Sequence, residues 1–213
     1  MPKDGSKTRS LLLDAALELA LVNGLGSTSI DEILEKAKLT KGTFFYHFKS
    51  KDELALELVK RFVAQDHALF KDAVARVESL SRDPLQQVLL LCGLAAEMFK
   101  EVPENPGCLM ASYCYEGQLF NEESRKACEM QLREWADWVE KKLKEAAKTR
   151  RPAPANLRQV AEMFQVIFEG AFILARTYKE PDIIAKQVLA YRDMVEALFN
   201  AGQAPKNGRK AER

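Results

Sequence analysis

Residues 40–54 read TKGTFFYHFKSKDEL, and the reading of this stretch decides how the rest of the chain is understood. Between residues 36 and 51 lie five lysines (36, 38, 41, 49 and 51) and no Asp or Glu, interleaved with Phe44, Phe45, Tyr46, His47 and Phe48. Cations for phosphates and flat side chains for base edges are what a DNA-facing helix requires. Taken alone, the stretch reads equally as a solvated basic face beside an ordinary aromatic core.

The residues upstream favour the DNA-facing reading. Leu11, Leu12, Ala15, Ala16, Leu19 and Ala20 follow the i, i+3, i+4 spacing of an amphipathic helix over residues 7–23, and Gly24 and Gly26 terminate it. Ser29 is placed to N-cap a second helix, with Glu32 three residues on as in a capping box, and Ile30, Ile33, Leu34 and Ala37 supply the inner face. Lys38 and Leu39 make a turn, and Thr40 caps a third helix in which Phe44 and Phe48, four apart, pack inward. Three short helices within about fifty residues, the last basic and aromatic, fit a helix-turn-helix that lays its third helix in the major groove.

Residues 7–56 resemble the N-terminal domain of the TetR family of transcriptional regulators. The matching residues are Gly24, Thr28, Ser29, Ile33, Ala37, Thr40-Lys41-Gly42-Thr43, Tyr46-His47-Phe48 and Ser50-Lys51. Pro106-Gly107-Cys108-Leu109, Glu116 and Trp138 resemble one C-terminal subgroup of that family. The resemblance implies an all-α protein, with a helix-turn-helix DNA-binding domain at 1–52 and a helical ligand-binding and dimerisation domain at 53–213. It places Thr28, Thr40, Lys41, Gly42, Thr43, Tyr46, His47 and Lys51 on positions that contact DNA. Lys41 and Thr43 lie near a helix start, from which base edges are within reach, while Tyr46, His47 and Lys51 suit phosphates. Three residues depart from the pattern. Phe45 stands where many members carry Tyr, keeping a ring for a thymine methyl but no hydroxyl; Lys38 stands where the turn usually has Gly; Asp31 stands where a basic residue is frequent.

Composition bounds the alternatives. The 213 residues carry a formal net charge of +1, and the first sixty hold nine basic and nine acidic side chains, so DNA affinity must come from a local patch. Residues 1–10 are polar, Asp14 and Glu18 interrupt the apolar stripe that follows, and no uncharged stretch reaches membrane-spanning length. A cytoplasmic location without membrane contact is the expectation. Cys92, Cys108, Cys114 and Cys128 lack C-x-x-C spacing and only two histidines are present, which predicts neither zinc nor a disulfide framework, and no cofactor. Each cysteine reads most simply as a small buried hydrophobe. Cys108, after Asn105-Pro106-Gly107, is the candidate for a redox or electrophile sensor. No H-E-x-x-H, G-x-S-x-G or P-loop supports an enzyme.

Beyond residue 52 the helical pattern continues without a strand. Helices are predicted over about 52–79, 84–100 and 108–118, from a cap at Asn121 to about 148, over 156–179, and from Asp182 to about 202. Pro103, Pro106 and Gly107 interrupt the series, 149–155 forms a loop, and 205–213 a basic tail. Residues 163–175 hold only Gln165 and Glu169 as strongly polar residues, so this helix needs burial on two sides. With the final helix it suits a two-fold four-helix interface. The expected protein is a repressor that binds a palindromic double-stranded DNA operator as a homodimer and releases it for a small effector, apolar or aromatic. Phe62, Met98, Met110, Tyr113, Cys114 and Phe168 are the candidate pocket residues. The competing classes are an all-helical small-molecule-binding protein or enzyme without DNA binding, and a cysteine-based sensor.

Overall fold

A computed structural model describes residues 5–100, 107–116, 121–150 and 154–200. The predicted breaks at Pro103 and Pro106 and the basic tail at 205–213 lie outside the described residues. Among the described residues 82% are helical and none forms a strand. The first helix, α1 (Gly5–Asn23), ends where Gly24 turns to φ +80° and returns its N–H to the Ala20 carbonyl at 2.9 Å. Helix α2 (Ile30–Ala37) opens on the predicted capping box: Ser29 N–H donates to Glu32 Oε2 at 2.6 Å, and Glu32 N–H to Ser29 Oγ at 3.1 Å. Thr40 caps α3 (Lys41–His47) and Ser50 caps α4 (Lys51–Leu80). Phe44 and Phe48 are buried with Leu12, Ala16 and Ile33, closing the three-helix unit. This core also takes in Leu54, Leu58 and Val59 from the first turns of α4, and Leu109, Tyr113 and Cys128 from farther along the chain.

The 30-residue α4 carries the chain from this unit into the body. There follow α5 (Pro84–Met98), capped by Asp83 with Pro84 in its first turn, α6 (Leu109–Cys114), α7 (Glu122–Ala147), capped by Asn121, α8 (Leu157–Tyr178), capped by Asn156, and α9 (Ile183–Asn200). Helix α6 is shorter than the predicted 108–118, whose last residues lie outside the described set. The distal half of α4 packs with α5, α7, α8 and α9 around an aromatic spine: Phe70 stacks on Trp135 at 4.3 Å, and Trp135 on Phe164 at 5.7 Å. Buried Tyr191 of α9 donates to the Val160 carbonyl at 2.8 Å, fixing α9 against the start of α8.

The predicted two-sided character of α8 is visible in its exposure. Phe164, Ala171, Phe172 and Ala175 point inward, whereas Val166 and Ile173 are 70% and 57% exposed on the opposite face. A side chain added at Gly170 would meet nothing within 4 Å. No helix among the described residues is long and apolar enough to cross a membrane.

Candidate nucleic-acid interface and effector cavity

Helix α3 spans seven residues, so its orientation depends on its two inward anchors. The Phe44 and Phe48 rings lie 5.8 Å apart, and the Arg9 guanidinium of α1 sits 5.0 Å from the Phe48 centroid. With those rings inside, Phe45 and Tyr46 face outward, 54% and 82% exposed. Thr40, Lys41 and Gly42 are exposed, and Thr43 and His47 half-buried. The Thr40 and Thr43 hydroxyls are 3.0 Å apart at the helix start. A surface groove gathers Thr40, Gly42, Thr43, Tyr46 and His47 together with Lys7 and Thr8 from the start of α1. Sequence reasoning missed Lys7 and Thr8. The signal available was a Lys-Thr-Arg run at a predicted helix start.

The other candidates are held by protein partners. Lys41 Nζ lies 2.9 Å from Asp31 Oδ1, with both side chains exposed. Lys51 Nζ donates to the Gly26 carbonyl at 2.8 Å. Thr28 does not join the surface: it is 1% exposed, because its hydroxyl turns inward to the Gly24 carbonyl at 2.9 Å. Lys36 leaves the basic face altogether, pairing with Glu18 of α1 at 2.6 Å. The turn residue Lys38 adopts φ 54°, so a lysine occupies the left-handed conformation that glycine usually supplies.

In the body, α4, α5, α7 and α8 enclose a cavity of about 650 Å³, closed on one side by Leu21 and Val22 of α1 and by Gly107 and Cys108 ahead of α6. Its walls are mainly apolar, with Phe99, Trp135, Phe164, Phe168 and Phe172 among them. Of the candidate pocket residues, Phe62, Met98, Met110 and Phe168 line this space, and Tyr113 and Cys114 do not. Helix α6 carries these two past the edge of the cavity, beneath α1 and α4. Tyr113 is buried in the N-terminal core, where burial pushes its phenol up to about 12, and Cys114 is exposed at the helix end.

Three carboxylates interrupt the apolar wall: Glu18, which is paired with Lys36, and Asp66 and Glu169, neither of which was among the candidate pocket residues. Asp66 of α4 accepts from Gln131 Nε2 and, at 3.2 Å, from Trp135 Nε1; burial nonetheless raises its pKa. Glu169 of α8 accepts from Cys108 Sγ at 3.3 Å. Its Oε2 is enclosed without a hydrogen-bond partner among the described residues, as is Oε1 of Gln165 one turn earlier. Burial raises the Glu169 pKa, and the charge of Asp66 raises it further.

Residues 12–58 match the family model for bacterial regulatory proteins of the tetR family, and residues 84–186 match the C-terminal domain of LmrA/YxaF-like transcriptional regulators. The chain belongs to the TetR family of transcriptional regulators. It is 27% identical over 180 residues to the transcriptional regulator AcuR of Cereibacter sphaeroides, covering 84% of this chain and 81% of AcuR. The transcriptional repressor NemR of Escherichia coli is 26% identical over 120 residues, 56% of this chain and 59% of NemR. The crystal structure of a TetR-family regulator from Agrobacterium tumefaciens matches the fold with a TM-score of 0.73 at 22% identity, covering 92% of this chain and all of that one. This TetR-family protein therefore combines a DNA-binding helix-turn-helix with a ligand-binding C-terminal domain, and it is a regulator, not an enzyme.

In this TetR-family chain the two functional regions meet at the end of α1. Arg176 of α8 donates to the Leu21 and Val22 carbonyls, the free acceptors of a helix C-terminus. Gly107 approaches so closely that a Cβ there would lie 2.7 Å from the Leu21 oxygen. The Glu116 carboxylate packs on Gly24 and Gly26. The turn that closes the cavity is thus also held by the body. Cys108 is buried at this junction, its thiol donating to the Glu169 carboxylate at 3.3 Å. Burial pushes the thiols of Cys92 and Cys128 up to about 12 and about 11.

Proposed function

We propose that this protein is a homodimeric repressor that binds a palindromic operator and releases it when a small molecule fills the cavity. The observation that carries this reading is the shared wall: Leu21 and Val22 belong to the helix that supports α3, and they also line the cavity. A ligand that favours one arrangement of that wall biases the placement of the recognition helix. The NemR relative, described as a repressor, supports the sign of regulation. The exposed apolar face of α8 supports pairing of two copies, which places two recognition helices on successive half-sites. In this reading residues 1–52 serve DNA and 53–213 serve ligand and dimer.

On the DNA side, Lys41 and Thr43 read base edges and Phe45 contacts a thymine methyl, while Thr40, Tyr46, His47, Lys51 and Lys7 meet phosphates, with Gly42 allowing close approach. Selection of bound sequences from a random duplex pool tests this, followed by binding to the selected site. Lys41→Ala or Thr43→Ala should weaken specific binding by about 1–3 kcal/mol, while Lys51→Ala weakens all sequences alike and flattens the salt dependence. Unchanged affinity in all three variants overturns the interface. Cys108→Ser should keep both operator binding and release, because the trigger is reversible occupancy; loss of release in that variant would instead favour covalent sensing.

A further inference from the structure

The aromatic cavity holds a charge pattern that an apolar ligand would leave unsatisfied. Asp66 on α4 and Glu169 on α8 both lie on its wall. The charge of Asp66 opposes ionisation of Glu169. Among the described lining residues the basic side chain is Lys36, and it is already paired with Glu18. Glu169 has one oxygen engaged by a thiol, a weak donor, and the other enclosed and unpartnered; Gln165 adds a second unpartnered oxygen on the same helix. A buried carboxylate short of donors is costly unless a cation or donors complete it. Around these acceptors stand Trp135, Phe164, Phe168 and Phe99, whose π-faces attract positive charge. Acceptors without a free cation, set among aromatic faces in a partly open pocket, are the complement of one ligand chemistry.

We propose that the cavity binds a lipophilic organic cation, its charge held between Asp66 and Glu169 and its apolar body against the aromatic wall. This rests on the reading of the cavity as the effector site, and it replaces a merely apolar effector with a positively charged one. Binding would also link α4, which leads to the DNA-binding unit, to α8, which carries Arg176.

The test uses three probes of similar shape on the full-length protein: tetraphenylphosphonium, neutral triphenylphosphine oxide and anionic tetraphenylborate. Titration calorimetry, with tryptophan quenching as a second signal, should show the cation binding at least about tenfold more tightly than either comparator. Glu169→Gln and Asp66→Asn should each weaken the cation by about tenfold or more while leaving the neutral probe within about twofold. Circular dichroism and gel filtration of each variant confirm that it is folded. Equal or tighter binding of the neutral or anionic probe, no binding of the cation, or cation affinity indifferent to both substitutions overturns the proposal. A mobility shift with the selected operator separates the two readings. Carboxylate-dependent cation binding that leaves DNA bound upholds the ligand class and refutes effector control. DNA release by the neutral probe alone does the reverse.

Discussion

At the residue scale, the departures from the family pattern have physical consequences. Lys38 holds φ 54° at the end of α2 while its N–H and that of Leu39 return to the last turn, at 3.1 Å to Glu35 O and 3.0 Å to Leu34 O. A Cβ in this conformation is strained, so Lys38→Gly should stabilise the protein by about 0.5–1 kcal/mol in urea denaturation, after the added freedom of the unfolded chain is offset. A destabilised variant would show that the lysine makes compensating contacts. Asp31 does more than omit a phosphate contact, because it occupies Lys41 at 2.9 Å. Both groups are exposed, so the pair contributes little to stability. Its effect falls on DNA: Asp31→Asn should raise operator affinity several-fold and steepen the salt dependence by up to about one phosphate equivalent. Filter binding across a salt series measures both, and lower affinity would mean that Asp31 positions Lys41 productively.

At the element scale, the end of α1 separates two kinds of glycine. A Cβ on Gly107 would lie 2.7 Å from a backbone oxygen of Leu21, which cannot yield without moving α1. A Cβ on Gly26 would meet the carboxylate end of Glu116, which can swing into solvent. Gly107→Ala should therefore cost about 1–3 kcal/mol in a denaturant titration, and Gly26→Ala less than about 0.5 kcal/mol. Similar losses in both would mean that Glu116 is as firmly held as the backbone. Helix α8 combines several tasks: its inner face carries the aromatic wall and Glu169, its end carries Arg176, and its outer face is bare.

At the scale of the whole molecule, that bare face bears on assembly. Phe168 lines the cavity and Ala171 is buried within the chain, so a charge at either would disturb the body itself and not report on pairing. Val166→Glu or Ile173→Glu places the charge on the outer face. Either should yield folded monomers by sedimentation at micromolar concentration, with operator affinity reduced at least about tenfold. A dimer that survives both substitutions would locate the interface elsewhere. The buried carboxylates also set a pH dependence. Because burial raises the Glu169 pKa above its ordinary 4.5, the native state holds that proton more tightly than the unfolded chain does. Below pH 4.5 both states are protonated and nothing is lost; as pH rises above that value the native state ionises reluctantly and stability falls. The Tm advantage of Glu169→Gln over the parent, without ligand, should thus grow from near zero at about pH 4 to a few degrees at about pH 7. An advantage that shrinks with rising pH would contradict the assigned direction.

The amino-acid sequence by itself determined the helical class, the capped starts of α2, α3 and α7, the inward turn of Phe44 and Phe48, and the two-sided character of α8. These features follow from local rules: a side-chain oxygen three residues ahead of a free N–H, or apolar spacing near 3.6 residues. Only the tertiary structure decided what depends on residues distant in the chain. Thr28 and Lys36 look like members of the basic surface until Gly24 and Glu18 are seen to hold them. Tyr113 and Cys114 share a short helix with Met110, yet packing against α1 and α4 takes them away from the cavity. Glu169 stands out in the sequence only as a polar residue in an apolar helix, and nothing there joins it to Asp66 about a hundred residues earlier, because burial is a property of how helices pack. The sequence carries no local mark of a carboxylate enclosed without a donor, and that is the feature on which the proposed ligand chemistry turns.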